Sequence, residues 1–534
     1  MGQISSTVKF QDTGYFSKIM CDYLDQKESV KQFYNNFPNI EGFRLQIEEK
    51  SRSYSKENRA VLYACLKEQT KHVQLSDLSR EHLLLLKDAD TFTVTTGHQL
   101  NLFTGPLYFL YKIISAINLA TELKENFPDK NFVPVYWMAT EDHDFEEICY
   151  FNYKKNRIQW DKDVQGAVGR TSTQGLEGVF DKIEENFGSN KYARRLKQLF
   201  QDAYLKHATL TEATRYLANE LFADYGLLII DGDDPGLKTL FVPNVKEELT
   251  QQTCFKEVSA TNEVLGATYS IQVNPREINL FYLDKELRER ILFEEGVYKI
   301  NNTDLVFSEK EIMDLVDTSP EKFSPNVLMR PLYQEVILPN LCYIGGGGEM
   351  AYWMQLRNFF DRVSVPFPIL LLRNSVLIID EKQHRKLEAL QISEQEIFLE
   401  QNDLIKKKVK EISDLDIDFS KQRKELREMF TELKLLSDKT DKSFSGAVLA
   451  QEKKQLNGLD KLEKRLLKAQ KRKYQEIVSR ISILQEQLFP KHSLQERQAN
   501  FSEFYEIYGE DLIPLLVSVL RPLALEFDLI TPVS

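Results

Sequence analysis

Short apolar runs that end in glycine or polar residues limit the fold of this chain more than any other feature of its sequence. Continuous runs of this kind are typical of parallel strands whose two faces are both buried. They lie at residues 91–97, 131–144, 225–236 and 367–380. A helical pattern at 106–127 lies between the first two, and this strand–helix–strand order predicts a doubly wound α/β sheet.

The chain changes character near residue 383, where proline and aromatic residues become rare and Lys, Glu, Gln and Leu become frequent. Apolar residues then recur every three or four positions, with a one-residue slip near Lys473, which predicts a coiled-coil seam with a discontinuity. A second helical pattern at 395–412 and a turn at 438–447 predict an antiparallel helical arm over 383–490. The seam residues are Leu459, Leu462, Leu466, Ala469, Ile477, Ile481, Leu484 and Leu488.

The length of 534 residues is too great for one ordinary hydrophobic core. We expect a core over residues 1–382, the arm over 383–490, and a segment over 491–534 that packs back on the core. Two more polar stretches, near 150–220 and 240–330, are expected to be insertions that decorate the sheet.

Charge and cysteine content argue against several classes of protein. The formal net charge of −12 disfavours a generic nucleic-acid binder, because phosphate contacts require a basic face. The five cysteines are scattered and form no C-x-x-C pair, which is typical of reduced thiols in a cytoplasmic protein. No apolar run approaches the ~18 residues of a membrane span. We therefore expect a cytoplasmic protein without nucleic-acid or membrane partners.

The first strand ends in Gly97, His98 and Gln99, and Thr104 and Gly105 follow before the helix. Ligands of open α/β sheets bind beyond the carboxyl ends of the strands. Glycine lets a backbone approach a ligand closely, and free amides at the start of a helix favour an anion. The turn is therefore a candidate anion-binding site, with an ordinary strand–helix turn as the alternative.

The second strand ends in the sequence Glu141-Asp142-His143-Asp144. Carboxylates and an imidazole this close together can bind a divalent metal, position an amine or a ribose, or transfer protons. Their spacing matches no established metal-binding motif, so we predict no resident metal. A solvated acidic turn is the alternative.

Three further features are candidates for a ligand site. "DGDDPG" brings Asp231 and Asp234 to another polar strand end, where a structural turn is equally compatible. Four glycines after "NLCYI", at 345–348, give a ligand access to the backbone. Arg330 could clamp a carboxylate or a phosphate, or it could form a structural ion pair.

Five segments occur in order along the chain: "TGHQLNLFTGPLYFLYK", "VPVYWMATEDHDFEE", "LLIIDGDDPGLK", "SPNVLMRPLYQEVILPNLCYIGGGGEMAYW" and "LQER". Together they resemble one family, the cysteine-adding enzymes of bacillithiol biosynthesis (BshC). The resemblance extends from about residue 91 to the end of the chain. It implies a Rossmann-like core with connecting insertions and an antiparallel coiled coil that supports a homodimer. Position 98 is His where the family commonly has Gln, which argues against an essential role for the imidazole.

The resemblance also implies a reaction, the joining of cysteine to glucosaminyl malate. Amide formation from a carboxylate requires activation, for which ATP is the expected cofactor and Mg²⁺ a candidate companion. The amine nucleophile must lose a proton, so one group of the acidic sequence at 141–144 is the expected base. The turn at 97–105 would hold phosphate or the developing oxyanion, and Gly346, Gly348 and Glu349 would receive the adenine or the ribose.

Two other functions remain compatible with the sequence. A metal-dependent hydrolase or deacetylase would use the acidic sequence at 141–144 around a metal ion. A non-catalytic scaffold would be organised by the coiled coil. Stoichiometric bound zinc would indicate the hydrolase, whereas a scaffold would show no stabilisation by nucleotides.

Overall fold

The computed structural model describes residues 2–437, 439–440 and 442–533. The strands are β1 (Gly2–Lys9), β2 (Thr91–His98), β3 (Asn131–Met138), β4 (Tyr150–Tyr153), β5 (Asn156–Gln159), β6 (Leu228–Asp231), β7 (Leu280–Asp284), β8 (Leu287–Glu294), β9 (Val297–Ile300), β10 (Val306–Phe307), β11 (Phe323–Pro325), β12 (Asn340–Gly345), β13 (Ile369–Leu372), β14 (Ser375–Ile378) and β15 (Glu526–Val533).

The helices up to the end of the central sheet are α1 (Lys18–Leu24), α2 (Glu28–Lys31), α3 (Ile40–Ser53), α4 (Lys56–Gln69), α5 (Asp77–Leu85), α6 (Tyr108–Asn126), α7 (Phe145–Ile148), α8 (Glu177–Asn186), α9 (Lys191–Phe200), α10 (Leu210–Phe222), α11 (Pro235–Thr239), α12 (Val242–Gln251), α13 (Thr253–Gly266), α14 (Glu309–Thr318), α15 (Arg330–Ile337), α16 (Gly347–Trp353) and α17 (Arg357–Arg362). The later helices are α18 (Glu381–Ala389), α19 (Gln401–Ile412), α20 (Ser420–Ser437), α21 (Lys442–Lys473), α22 (Gln475–Leu488), α23 (Gln495–Gln498), α24 (Phe501–Tyr508) and α25 (Leu512–Val519).

A five-stranded parallel sheet, in the order β13-β12-β2-β3-β6, forms the centre of the molecule. Its strands are almost entirely buried, which explains why they are continuous apolar runs in the sequence. Along the chain, β3 and β6 follow β2 on one side of it, and β12 and β13 are added later on its other side. The predicted doubly wound sheet is confirmed, and its switch point lies between β2 and β12.

The apolar run at 367–380 divides into two strands that belong to different sheets. β13 completes the central sheet, whereas β14 pairs with β15 in a three-stranded sheet that also contains β1. The chain turns between them at Asn374, whose backbone N–H donates to the Ser115 hydroxyl on α6 at 3.1 Å. The apolar pattern predicts that both strands are buried, but it does not indicate that they belong to different sheets.

Two peripheral units decorate the central sheet. The hairpin of β4 and β5 packs with α8, α9 and α10 around an apolar cluster that also includes α6. The second unit contains α12, α13, α14 and an antiparallel sheet in the order β10-β9-β8-β7-β11. Arg288 of β8 and Pro325 of β11 bring this second unit to the carboxyl ends of the central strands.

α20 and α21 form an antiparallel helical hairpin. Arg423 near the start of α20 pairs with Asp460 in the second half of α21 at 2.9 Å. Lys434 near the end of α20 pairs with Glu452 in the first half of α21. The predicted coiled coil is therefore confirmed. The predicted turn at 438–447 includes residues 438 and 441, which lie outside the described residues, and α21 already begins at Lys442.

The slip in the seam coincides with a break in the helix. Tyr474, between α21 and α22, has non-helical backbone angles (φ −104°, ψ 33°). Beyond the break, Ile481, Leu484 and Leu488 are buried against the body of the molecule. Before it, Leu462 leaves 54% of its surface exposed.

The end of the chain packs on the centre of the molecule. Phe501, Tyr505 and Leu512 from α24 and α25 join the apolar cluster of α6. β15 then pairs with both β1 and β14. Among the described residues, no helix combines the length and the apolar character needed to cross a membrane.

Candidate active site

A cavity of about 440 Å³ lies at the carboxyl ends of β2, β3 and β12, beside the switch point of the sheet. The predicted site residues that line it are Gly97, His98, Gln99, Glu141, Asp142, Arg330, Gly346, Gly348 and Glu349. Other lining residues were not indicated by the sequence, and they include Tyr108, Lys112, Arg288, Tyr343, Arg373 and Arg497. The fold thus brings most of the predicted groups together, because parallel strands end at the same edge of the sheet.

An ion pair between the buried Lys112 of α6 and the half-buried Glu349 of α16 spans the switch point, with 2.6 Å between Nζ and Oε2. Lys112 also donates to the Gly97 carbonyl at 2.7 Å. Glu349 accepts hydrogen bonds from the Gly346 amide and the Tyr343 hydroxyl, each at 2.8 Å. Burial opposes ionisation of Glu349, but Lys112 and these hydrogen bonds outweigh it and lower its pKa to about 2. Glu349 is therefore a permanent anion whose charge Lys112 neutralises.

Lys112 is a site residue that sequence reasoning missed, although a signal was present. It lies within the apolar sequence "FLYKIISAI" of α6 and is 4% exposed. A lysine on an otherwise apolar stretch of a buried helix requires a partner, because an unpaired buried charge is costly. That requirement predicts a carboxylate nearby but does not reveal which one.

His98 is buried and held in one orientation. Its Nδ1 donates to the Gln99 carbonyl at 3.0 Å, because a carbonyl oxygen can only accept. Its ring stacks on Tyr108 and meets the edge of Phe109, at centroid distances of 5.4 and 5.2 Å. Burial, reinforced by the charge of Lys112, lowers the pKa of His98 to about 3. The imidazole is therefore neutral and supplies no positive charge to an anion.

The acidic wall of the cavity consists of Glu141 and Asp142. The Glu141 carboxylate pairs with Lys238 of α11 at 2.5 Å. Burial raises the pKa of Glu141, and Lys238 only partly offsets this. Asp142 accepts a hydrogen bond from Gln99 at 2.9 Å, which ties the end of β3 to the end of β2.

His143 and Asp144 do not line the cavity. Arg288 lies 2.6 Å from His143 Nδ1, and since arginine can only donate, Nδ1 accepts and its proton is on Nε2. Asp142, His143 and Asp144 each offer one ligand atom, all within 4.8 Å of one another, so they could surround a cation. This set suits Mg²⁺ poorly, because Mg²⁺ prefers oxygen ligands and Arg288 already occupies the imidazole nitrogen.

Thr104 and Gly105, which the sequence placed in the anion-binding turn, lie in the interior instead of on the cavity wall. The Gly105 amide donates to the Leu102 carbonyl at 2.9 Å. The Asn500 amide group donates to the carbonyls of Phe103 and Gly105, at 2.8 and 2.6 Å. The carbonyls of this part of the turn thus anchor the C-terminal segment, whereas the buried Thr104 hydroxyl has no hydrogen-bond partner among the described residues. Neither residue reaches the cavity wall, unlike the start of the turn.

Asp231 and Asp234 also lie off the cavity wall. Asp231 accepts hydrogen bonds from the Thr140 hydroxyl and from the Asp233 amide. Asp234 caps α11 by accepting from the amides of Gly236 and Leu237, at 2.8 and 3.1 Å. The structural turn, which the sequence left open for "DGDDPG", accounts for both side chains.

Arg330 is half-buried among aromatic rings, with its guanidinium 5.4 Å from the ring centroid of Tyr343 and 5.7 Å from that of Trp137. Its Nη1 donates to Gln334 at 3.1 Å. Its Nη2 has no hydrogen-bond partner in the part of the chain that the structure describes. The structural ion pair that the sequence left open for Arg330 does not form with any described residue.

Arg373 and Arg497 complete the basic wall of the cavity. Arg373 donates to the buried Glu496 carboxylate at 2.7 Å and to the Asn374 carbonyl at 2.9 Å. Arg497 follows Glu496 in the "LQER" sequence of α23, and its side chain is exposed. A neighbouring cavity of about 150 Å³ shares Gly346, Gly348 and both arginines with the first one.

The fold and the site together define a Rossmann-like α/β protein that carries a charged cavity at its switch point and a coiled-coil arm. Comparison with known proteins agrees. Residues 4–374 match the family model described as the N-terminal Rossmann-like domain of BshC of bacillithiol biosynthesis, and residues 376–532 match the model of its C-terminal coiled-coil domain. The chain therefore belongs to the BshC family.

Similar proteins named "Putative cysteine ligase BshC" match over nearly their whole length. The relative from Flavobacterium johnsoniae is 55% identical, with 98% of this chain and 99% of the relative covered. The relative from Flavobacterium psychrophilum is 54% identical, with 98% of each covered. The relative from Christiangramia forsetii is 51% identical, with 99% of each covered.

Proposed function

We propose that this protein is a ligase that joins the carboxylate of cysteine to the amine of glucosaminyl malate, with ATP as the activating co-substrate, in the last step of bacillithiol biosynthesis. The observation that carries the proposal is the division of one cavity into an acidic and a basic wall. Glu141 and Asp142 lie on the first, and Arg330, Arg373 and Arg497 on the second. In the ligation step the amine must lose a proton, which a carboxylate of the acidic wall can accept. The activated carboxylate and its phosphate carry negative charge, which the arginines of the basic wall can bind.

The cysteine carboxylate attacks ATP and forms either an acyl-adenylate, with release of pyrophosphate, or an acyl-phosphate, with release of ADP, and so gains the leaving group that it lacks. The amine of glucosaminyl malate then attacks the activated carbonyl, the new C–N bond forms, and AMP or phosphate leaves. The nitrogen loses one proton in this step, and we assign that proton to Glu141. Glu141 lines the cavity, and burial raises its pKa, which makes its carboxylate a better proton acceptor.

His143 and Asp144 have a positioning role in this proposal. Arg288 contacts His143 and lines the cavity, so the pair links the second peripheral unit to the end of β3. Any Mg²⁺ would enter with the phosphates of ATP, because the carboxylates of the cavity are already engaged: Glu141 by Lys238, Asp142 by Gln99 and Glu349 by Lys112.

The decisive experiment measures amide formation by the purified protein from cysteine and glucosaminyl malate, with mass-spectrometric detection of the product. We expect product with ATP and none without it. The Glu141→Gln variant, which keeps the size of the side chain but cannot accept the proton, should be slower by about 100-fold or more. Product formation without any nucleotide would contradict the proposed activation.

A metal-dependent hydrolase is the second candidate, and the cluster of Asp142, His143 and Asp144 is the observation that favours it. Such an enzyme would contain stoichiometric zinc after purification and would release acetate from an N-acetylated amino sugar. Loss of that activity on chelation, combined with no ATP-dependent ligation, would replace the ligase proposal.

We also propose that the protein is a homodimer that works in the cytoplasm. Met429, Leu435, Leu449 and Leu462 on α20 and α21 are each about half exposed or more, at 48%, 63%, 51% and 54%. Met429 and Leu462 line one surface groove together with Leu426 and Leu459. Exposed apolar side chains that lie together mark a contact surface, and a second copy of the same hairpin would cover them. The five cysteines form no disulfide bonds, as expected in a reducing compartment.

A further inference from the structure

The basic wall contains guanidinium groups that the protein itself leaves without an anionic partner. Lys112 is neutralised by Glu349, and Arg373 by Glu496. All three kinds of nitrogen of Arg288 are occupied, since they donate to His143, Ser324 and Pro325. Of the five cations that line the cavity, Lys112 and Arg373 thus have carboxylate partners, although Nε of Arg373 has no hydrogen-bond partner among the described residues. Arg288 has no carboxylate partner, but each of its nitrogens has a hydrogen-bond partner.

The two remaining cations are Arg330 deep in the cavity and Arg497 at its edge. Neither forms an ion pair with a described residue, and Nη2 of Arg330 is buried without any hydrogen-bond partner there. A buried donor without a partner is costly, and a ligand that accepts its hydrogen bond removes that cost. Arg330 and Arg497 are therefore the two cations of the cavity that have neither a carboxylate partner nor a full set of hydrogen bonds among the described residues.

Arg497 is exposed, but the backbone that carries it is fixed. Gln495 exchanges two hydrogen bonds with the backbone of Ile378 on β14, at 2.9 and 3.0 Å. Glu496 accepts from Arg373 at 2.7 Å and from the Val376 amide at 3.2 Å. The C-terminal segment thus holds Arg497 at the boundary of the two cavities, where it can reach a ligand in either one.

We propose that Arg497 is a substrate-binding residue that the C-terminal segment adds to the active site, and that it binds an anionic group of the same ligand that Arg330 contacts. The inference rests on the proposed function for the identity of that ligand. The anionic group is a phosphate if it belongs to ATP and a carboxylate if it belongs to the malyl part of glucosaminyl malate. A carboxylate is planar and a phosphate is tetrahedral, and a guanidinium binds the oxygens of either one with paired hydrogen bonds.

The test compares Arg497→Gln with Arg480→Gln in the full-length protein. Arg480 is an exposed arginine on α22 that does not line either cavity, so the two variants lose the same charge. The dissociation constants of inorganic pyrophosphate and of malate are measured by calorimetry, and the KM values of ATP and of glucosaminyl malate by the ligation assay.

We expect Arg497→Gln to weaken one of the two probes by about tenfold, the effect of one charge-assisted hydrogen bond in a partly exposed position. Weaker pyrophosphate binding with a raised KM for ATP would assign the group to the nucleotide. Weaker malate binding with a raised KM for glucosaminyl malate would assign it to the sugar substrate. Arg497→Lys, which keeps the charge but not the planar fork, should recover part of the loss.

Equal binding of both probes and equal KM values in Arg497→Gln and Arg480→Gln would overturn the inference. Failure of the ligase proposal gives a different result. In that case the wild-type protein forms no amide, yet Arg497→Gln still binds pyrophosphate or malate more weakly than Arg480→Gln, and the anion site stands without the proposed reaction.

Discussion

His98 illustrates how burial changes the chemistry of a residue that its sequence position had already marked. A histidine at the end of a strand could have been a cation for a phosphate. The structure surrounds its ring with Tyr108, Phe109 and the charge of Lys112, and the resulting pKa of about 3 keeps it neutral. We therefore assign the proposed anion-binding role to Arg330 and Arg497, which form no ion pair with a described residue.

Acid sensitivity of folding should follow from this buried neutral histidine. Below its unfolded pKa of roughly 6.5, the unfolded chain takes up a proton that the folded chain cannot, so stability falls as the pH falls. Between pH 7 and pH 5 His98 should account for about 2 kcal/mol of that loss. The His98→Gln variant should lose correspondingly less stability in urea unfolding at these two pH values. An equal loss of unfolding free energy in His98→Gln and in the wild type would contradict the neutral state of His98. The matched control is His72→Gln, which replaces an exposed histidine.

The ion pair of Lys112 and Glu349 makes a second prediction for single residues. Lys112→Met leaves the half-buried carboxylate of Glu349 without its cation and should lower the free energy of unfolding by about 2–3 kcal/mol, less than for a fully buried pair. The double variant Lys112→Met/Glu349→Leu removes both charges and should recover most of that loss. Chemical denaturation measures both, and a double variant less stable than the single one would show that the pair is not the cause.

At the scale of secondary-structure elements, the turn between β2 and α6 does two different jobs. Gly97 and Gln99 at its start face the cavity, whereas Leu102 to Gly105 fold under the C-terminal segment. Phe103 and Thr104 both have positive φ angles, at 47° and 69°, and such strain persists only where surrounding contacts hold it. Asn500 supplies those contacts, so this turn positions the C-terminal segment.

Substitution of Gly105 tests that structural role. Its φ of 62° disfavours a side chain, and a Cβ atom would lie 2.5 Å from Asn101 Cβ. Gly105→Ala should therefore destabilise the protein by about 3 kcal/mol or more, through strain and overlap. Gly178→Ala on α8, where a Cβ meets open space, is the control and should stabilise by up to about 1 kcal/mol. If Gly105→Ala had normal stability but bound anions more weakly, the turn would belong to the ligand site and the structural role would be contradicted.

At the scale of the whole molecule, the C-terminal region joins the arm to the active site. α22 is buried against the body, α23 is held on β14, and Arg497 of α23 lines the cavity. The exposed apolar side chains lie farther along the hairpin, on α20 and α21. The dimer contact and the substrate site that we propose would therefore lie at opposite ends of one continuous C-terminal region.

Dimerisation through the hairpin predicts the effect of a charge at its centre. Leu462→Glu should convert a dimer into a monomer in analytical ultracentrifugation, because a carboxylate would be buried without a partner at the interface. Leu84→Glu on α5 is a matched control, since both leucines are 54% exposed. A wild-type monomer, or an unchanged dimer in the Leu462 variant, would contradict the proposed interface.

The sequence by itself predicted the doubly wound sheet, the helical hairpin and the break near Lys473, because apolar spacing reflects which faces are buried. It did not give the buried face of α21, since Leu462 and Ala469 of the predicted seam are exposed. It also indicated the strand ends from which Gly97, Glu141 and Glu349 reach the cavity, because parallel strands of one sheet end at one edge. Sequence could not separate Asp142, which lines the cavity, from Asp144 two positions later, which does not. Nor could it place Arg373 and Arg497, since residues 124 positions apart meet only through the pairing of β14 with β15 and the docking of α23. Tertiary structure alone decided which charges are neutralised inside the protein, because an ion pair depends on distances that local pattern does not contain.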